Sequence, residues 1–159
     1  KELAQRHPWI DIDRAAIWGH SGGGFIAADA MFRYPDFFKV GISESGNHDQ
    51  RVYEDDWGER YQGLLVKNPD GTDTYEVEAN QTMAKNLKGK LLIRHGDMDD
   101  NVHMQNSVWF ITTLQDLTRP FEYMIYPGER HGWGGPKRVF MTNEGNSFWL
   151  RYFFGKENQ

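Results

Sequence analysis

The chain has 159 residues, a formal net charge of −5 at pH 7, 14% aromatic residues and no cysteine. This length fits one domain with a real hydrophobic core. The acidic balance disfavours nucleic-acid binding, and no segment approaches the roughly 18 apolar residues of a membrane span. The absence of cysteine excludes disulfides, a thiolate nucleophile and a cysteine-ligated zinc site.

The first six residues, Lys1–Arg6, carry neither an initiator methionine nor a signal-peptide pattern. They are typical of the end of an amphipathic helix. We therefore interpret the chain as a fragment of a longer protein, so that any localisation signal would lie upstream.

Short apolar runs bounded by turn residues alternate with longer amphipathic segments along the chain. They predict strands at 15–18, 38–43, 90–95 and 121–126, and helices at 22–34, 75–87, 102–117 and 136–154. The segment 47–63 is aromatic and acidic. Such alternation indicates an α/β fold with a mostly parallel sheet, helices on both faces, and an active site at the carboxyl ends of the strands.

The segment Trp18–Gly24 (WGHSGGG) contains the pattern G-x-S-x-G between a predicted strand and a predicted helix. This is the strand–turn–helix context of a nucleophile elbow, in which Ser21 would sit in a strained, exposed turn. We expect a Cβ at Gly19 or Gly23 to collide across the turn. The alternative is a glycine-rich turn that happens to contain a serine.

A serine nucleophile needs a general base, and the base needs a carboxylate that orients it. His131 is the one histidine that follows the last predicted strand, whereas His20 lies inside the elbow and is expected only to line the site. The carboxylate would come from Asp97, Asp99 or Asp100 after the third strand, and spacing does not separate the three. One of the remaining aspartates is expected to cap the next helix.

Metal-binding alternatives fail on spacing. The segment Asp97–Asn101 imitates the start of a calcium-binding loop, but Val102 stands where the loop needs glycine and Val108 where it needs glutamate. The histidine and aspartate residues between 95 and 103 have no zinc-ligand spacing. No metal or other cofactor is predicted.

These motifs together resemble the C-terminal part of the catalytic domain in the prolyl oligopeptidase family of serine peptidases, particularly its dipeptidyl peptidase IV branch. The matching segments are DRxAIWGHSGG at 13–23, FKVGI at 38–42, ERYxG at 59–63, HGxxDDNVH at 95–103 and HG at 131–132. The resemblance implies the C-terminal half of an α/β-hydrolase fold. Residues 1–159 would form a single partial catalytic domain, whose first strands and β-propeller lie upstream.

The resemblance also implies roles for individual residues. Ser21 would be the nucleophile, Asp99 the triad acid and His131 the base. The backbone N–H of Gly22 would be one oxyanion donor, and the family's second donor, a tyrosine hydroxyl, would come from upstream.

Five positions are implied to bind substrate: Asn47, Tyr53, Trp57, Asn101 and Val102. Asn101 would hold a substrate carbonyl, Tyr53 would pack on the residue before the cleaved bond, and the others would form the walls of that pocket. Asn47 replaces an apolar residue of the proline-specific members and Gln50 replaces a tryptophan, so the pocket gains two polar groups. For Tyr53 and Trp57 the alternative is ordinary packing.

The predicted function is that of a serine peptidase that removes N-terminal dipeptides from peptide substrates through an acyl-enzyme. The alternatives are an esterase or acylaminoacyl hydrolase on the same triad, or an inert truncated domain. We expect strand 15–18 to be an exposed edge through which this chain forms a homodimer or higher association. The resemblance slightly favours a periplasmic or secreted location and leaves a cytoplasmic one open.

Overall fold

The computed structural model describes residues 1–155. Its centre is a parallel sheet of four strands in the order β1-β2-β3-β4. The strands are β1 (Ala15–His20), β2 (Phe38–Glu44), β3 (Lys90–Gly96) and β4 (Glu122–Tyr126). All four predicted strands are present, each within two residues of its predicted ends.

Seven α-helices occur in the described part of the chain: α1 (Glu2–Arg6), α2 (Gly22–Arg33), α3 (Asp55–Gln62), α4 (Thr74–Glu78), α5 (Asn80–Met83), α6 (Gln105–Asp116) and α7 (Gly135–Phe154). Three short 3-10 helices lie at Ile12–Arg14, Gln50–Val52 and Ala84–Asn86. Within residues 1–155 no helix combines the length and apolar character that crossing a membrane requires.

The core lies on both faces of the sheet because the strands alternate their apolar side chains. On one face Leu91 and Ile93 pack with Phe32 of α2 and Phe110 of α6. On the other face the apolar residues of the strands pack against Phe148 of α7. Burial of one such aromatic side chain contributes about 2–3 kcal/mol. The predicted α/β class, with helices on both faces, is confirmed.

The predicted continuous helix at 75–87 is wrong, because the segment is broken at Ala79, whose backbone is extended (φ −63°, ψ 139°). Asp73 caps the first part by accepting from the N–H groups of Tyr75 and Glu76. The next residue, Asn80, is fully buried, and its side-chain amide donates to the backbone carbonyl of Phe25. Tertiary polar contacts of this residue therefore override local helix preference.

Helix α3 was not predicted from the aromatic and acidic segment that contains it. Two aspartates, Asp55 and Asp56, occupy its first turn, where negative charge is favourable against the helix dipole. Gly63 ends the helix with φ 81°. The short helix brings Trp57 against the turn between β1 and α2.

Candidate active site

Ser21 lies between the end of β1 and the start of α2, at the carboxyl edge of the sheet. Its backbone has φ 59° and ψ −124°, a conformation that is rare and strained for a residue other than glycine. The Ser21 N–H donates to the carbonyl oxygen of Glu44 on the neighbouring strand, at 2.9 Å. The elbow expected from the sequence therefore has the backbone geometry that such a turn requires.

The glycines around Ser21 differ in what an added Cβ would contact. A Cβ on Gly19 would overlap the carbonyl oxygen of Gly23, and a Cβ on Gly24 would overlap the carbonyl oxygen of Glu44. A Cβ on Gly23, in contrast, would meet nothing within 4 Å. The expectation of a collision at Gly23 is wrong, because the close approach to the next strand falls one residue later.

Asp99 and His131 are joined by a hydrogen bond. Asp99 Oδ2 lies 2.8 Å from His131 Nδ1, while Asp99 Oδ1 accepts from the backbone N–H groups of Asn101 and Val102 at 3.0 and 2.9 Å. Because Nδ1 donates to the carboxylate, Nε2 of His131 is left as the proton acceptor that a general base needs. The loops after β3 and β4 thus meet at one point.

The carboxylate of Asp99 is held in its charged form. Its burial would raise the pKa, but hydrogen bonds from His131 and His95 outweigh this and hold the pKa of Asp99 well below its usual range. His95 is fully buried, and its Nε2 lies 3.2 Å from Asp99 Oδ2 and 2.7 Å from the carbonyl oxygen of Val102. A charged Asp99 is what stabilises an imidazolium at His131.

The two neighbouring aspartates make other contacts. Asp97 Oδ1 accepts from the backbone N–H of Gly128 at 2.6 Å, and Asp100 pairs with Arg130 on the surface. Neither caps the following helix, which begins three residues later than predicted and has Met104 as an N-cap without a side-chain bond. The expected aspartate cap is therefore wrong, since Asp97 instead ties the loop after β3 to the loop after β4.

His20 lies beside His131. The ring centroids of His20 and His131 are 4.7 Å apart, with an angle of 50° between the rings. Burial, followed by the positive charge of His131, lowers the pKa of His20. The sequence placed His20 at the site but gave no reason to expect this ring contact.

The structure brings together three of the implied substrate-binding residues. The Tyr53 hydroxyl donates to Asn101 Oδ1 at 2.6 Å, and its ring stands edge-on to Trp57 with centroids 6.2 Å apart. The indole of Trp57 covers Gly22 so closely that a Cβ there would lie 2.8 Å from Trp57 Cζ2. These side chains form one wall beside the elbow.

The other two implied residues are buried. Val102 has no exposed surface and Asn47 is 1% exposed. The Asn47 side-chain Nδ2 donates to Gln50 Oε1 at 3.0 Å, while its Oδ1 has no hydrogen-bond partner among the described residues. Both side chains therefore lie beneath the site surface formed by the described residues.

A buried ion cluster next to the site was missed from the sequence. Arg94 of β3, 3% exposed, binds the carboxylate of Glu44, donates to the carbonyl oxygen of Met141 at 2.7 Å and lies 3.3 Å from Glu144. Tyr126 donates to Glu144 at 2.6 Å. The sequence feature that could have revealed this cluster is a glutamate and an arginine inside two apolar strands.

Across residues 1–155 no group of three or more histidine, cysteine, aspartate or glutamate side chains could hold a metal ion.

Residues 1–156 match the family model described as the prolyl oligopeptidase family, Peptidase_S9. A probable dipeptidyl peptidase 4 of Aspergillus flavus is 37% identical over 113 residues, which are 71% of this chain and 14% of the relative. The dipeptidyl peptidase 4 of Trichophyton equinum is 40% identical over 119 residues, 73% of this chain and 15% of the relative. The chain thus spans only a small part of the curated relatives it matches.

Two solved structures of dipeptidyl peptidases are also similar to this chain. A putative dipeptidyl aminopeptidase IV from Bacteroides ovatus superimposes with a TM-score of 0.86 at 30% identity, covering 96% of this chain and 21% of that one. The dipeptidyl peptidase 4 of Porphyromonas gingivalis gives a TM-score of 0.84 at 30% identity, covering 95% and 21%. The predicted α/β-hydrolase type of fold is confirmed by these likenesses.

Proposed function

Since the chain belongs to the prolyl oligopeptidase family, we propose that it carries the catalytic triad of a serine peptidase, with Ser21 as nucleophile, His131 as base and Asp99 as acid. The observation that carries the proposal is the 2.8 Å bond from His131 Nδ1 to a buried Asp99. The strained backbone of Ser21 at the same edge of the sheet supports it. No step of this chemistry requires a cofactor.

In this proposal each of the three residues has a defined part in the chemistry. Ser21 Oγ attacks the carbonyl carbon of the scissile bond while its proton passes to His131 Nε2. The negative charge on the carbonyl oxygen is met by the backbone N–H of Gly22, the first residue of α2. His131 then gives the proton to the leaving amine as the C–N bond breaks. Water, deprotonated by the same nitrogen, releases the acyl group and restores Ser21.

We propose peptides with a free N-terminus as the substrates, cleaved after the second residue, as the names of the relatives suggest for those proteins. The wall beside the elbow supplies groups for binding a peptide. Because Asn101 Oδ1 is occupied by the Tyr53 hydroxyl, the amide Nδ2 of Asn101 is the group left to donate to a substrate carbonyl. Trp57 and Tyr53 supply aromatic surface next to Gly22, with Val102 and the polar Asn47 beneath.

We further propose that residues 1–159 are one part of a longer catalytic domain. Within the described residues β1 pairs only with β2, so its other edge is open. Trp18 on this strand is 58% exposed and lines, with Trp149, an open cleft of about 630 Å³. Upstream strands would pair with this edge.

On its own the chain would self-associate at the open edge of β1. Sedimentation velocity tests this self-association, and a clean monomer would contradict it.

The function is tested on the native-length protein and its Ser21→Ala variant. Hydrolysis of Gly-Pro and Ala-Ala anilides, of the same anilides blocked at the N-terminus, and of short acyl esters is compared. We expect unblocked anilides to be preferred and the Ser21→Ala variant to lose at least a thousandfold in kcat. Ser147→Ala on α7 is the matched control. Hydrolysis of esters alone would favour an esterase, and hydrolysis that survives Ser21→Ala would refute the proposal.

A further inference from the structure

A second imidazole lies against the ring that acts as the base in the proposed function. The His20 ring is centred 4.7 Å from that of His131, and the indole of Trp133 stands edge-on to His20 with centroids 6.4 Å apart. Asp99 fixes only one nitrogen of His131, at Nδ1. That bond alone leaves the His131 ring free to tilt about the axis from Nδ1 to the carboxylate. Contact with the His20 ring restricts this tilt.

A buried carboxylate lies behind His20. Glu44 Oε2 is 3.9 Å from His20 Nδ1, and the Glu44 side chain is 3% exposed. Its other oxygen, Oε1, binds Arg94, which in turn donates to the carbonyl oxygen of Met141 in α7. The carboxylate behind His20 is therefore fixed between β2, β3 and α7.

We propose that His20, backed by Glu44, is a positioning residue that holds the His131 ring in the orientation needed for proton transfer. The inference rests on the proposed function, because it assigns His20 a task only if His131 is the base. His20 is not placed in contact with substrate. It acts through His131, by the contact between the two rings.

The charged and titratable groups that surround His20 come from every neighbouring element. They are Glu44 from β2, His95 from β3, and Asp99 and His131 from the two loops, with Arg94 and Glu144 behind Glu44. Burial and then the charge of His131 lower the pKa of His20, while the charge of Asp99 acts in the opposite direction.

The test uses the native-length protein and compares His20→Ala, His20→Gln and His20→Phe with wild type. Loss of the ring is expected to lower kcat about tenfold with KM changed less than about twofold. Phe restores a ring face and is expected to return kcat to within about threefold of wild type. Because the His20 side chain is 36% exposed, these variants should fold, which thermal unfolding checks.

His7→Ala is the matched control, because His7 also packs on an aromatic ring, that of Trp9 at 5.5 Å, in a different part of the chain. Unchanged kcat in both ring-less variants, or an equal loss in His20→Phe, overturns the inference. Ser21→Ala is run beside them: if wild-type hydrolysis does not depend on Ser21, the proposed function fails instead.

Discussion

The hydroxyl of Tyr53 donates a hydrogen bond to Asn101 Oδ1 at 2.6 Å and so joins the segment before α3 to the loop that carries Asp99. The two residues are 48 positions apart in sequence. The bond fixes which end of the Asn101 amide faces outward. A substrate carbonyl would therefore meet a donor that is already oriented before binding.

Tyr53→Phe removes this orientation while keeping the ring. We expect KM for a dipeptidyl anilide to rise about fivefold, equivalent to about 1 kcal/mol, with kcat little changed. Steady-state kinetics of the native-length protein measures both. Tyr34→Phe, an exposed tyrosine at the end of α2, is the control. A fall in kcat without a change in KM would contradict a binding role.

Asp99→Asn removes the carboxylate that orients His131. The asparagine amide would favour the wrong tautomer of the imidazole, and we expect kcat to fall at least about a thousandfold with the fold retained. Asp100→Asn is the matched control, because Asp100 is exposed and pairs only with an exposed Arg130. It should change kcat by less than about twofold. Equal effects of the two substitutions would remove Asp99 from the triad.

Gly23 and Gly24 should differ in how substitution by alanine changes the stability of the fold. Gly24→Ala forces a Cβ into the carbonyl oxygen of Glu44 and close to Gly46, and should destabilise the fold by about 1–3 kcal/mol or more. Gly23→Ala has open space and a helical position, so it should be neutral or stabilise by up to about 1 kcal/mol. Urea unfolding of both variants gives the difference. A Gly23→Ala variant as unstable as Gly24→Ala would contradict the packing described.

Acid destabilisation should arise in part from His48. Complete burial lowers the pKa of His48 to about 3, whereas an unfolded histidine titrates near 6.5. The unfolded chain therefore binds a proton first as pH falls. The stability from a neutral His48 is complete above about pH 6.5 and is lost between there and about pH 3, at up to about 1.4 kcal/mol per pH unit.

The measurement for His48 is the free energy of unfolding between pH 7 and pH 4. His48→Gln should be less stable than wild type at pH 7 and show a shallower decline with falling pH. The exposed His103 gives the control, His103→Gln, which should keep the slope of wild type. An unchanged slope in His48→Gln would show that other groups account for the acid sensitivity.

Much of the fold was predictable because it depends on local patterns. The apolar runs gave all four strands. The glycines and the residues at strand ends gave the elbow, His131 and a cluster of three aspartates, among which only the family resemblance favoured Asp99. The breaks in the 75–87 segment were not predictable, because they depend on Asn80 reaching Phe25 across the fold. The collision at Gly24 rather than Gly23 likewise depends on how closely β2 approaches.

The contacts around His131 were also beyond the sequence. The elbow placed His20 next to Ser21, but its ring contact with His131 requires the loop after β4 to return to the end of β1. The buried Glu44 and Arg94 interrupt apolar strands, which marks them as unusual without showing that they bind each other. Both features depend on how strands that are distant in sequence are arranged in the sheet.

The central claim is that Ser21 is activated by His131 and Asp99. The most direct test is labelling of the native-length protein with a fluorophosphonate probe, with the modified residue mapped by mass spectrometry, in wild type, Ser21→Ala and Asp99→Asn. We predict a single adduct on Ser21, none in Ser21→Ala, and labelling slowed at least about a hundredfold in Asp99→Asn. Absence of labelling in wild type, or an adduct that persists in Ser21→Ala, would contradict the account.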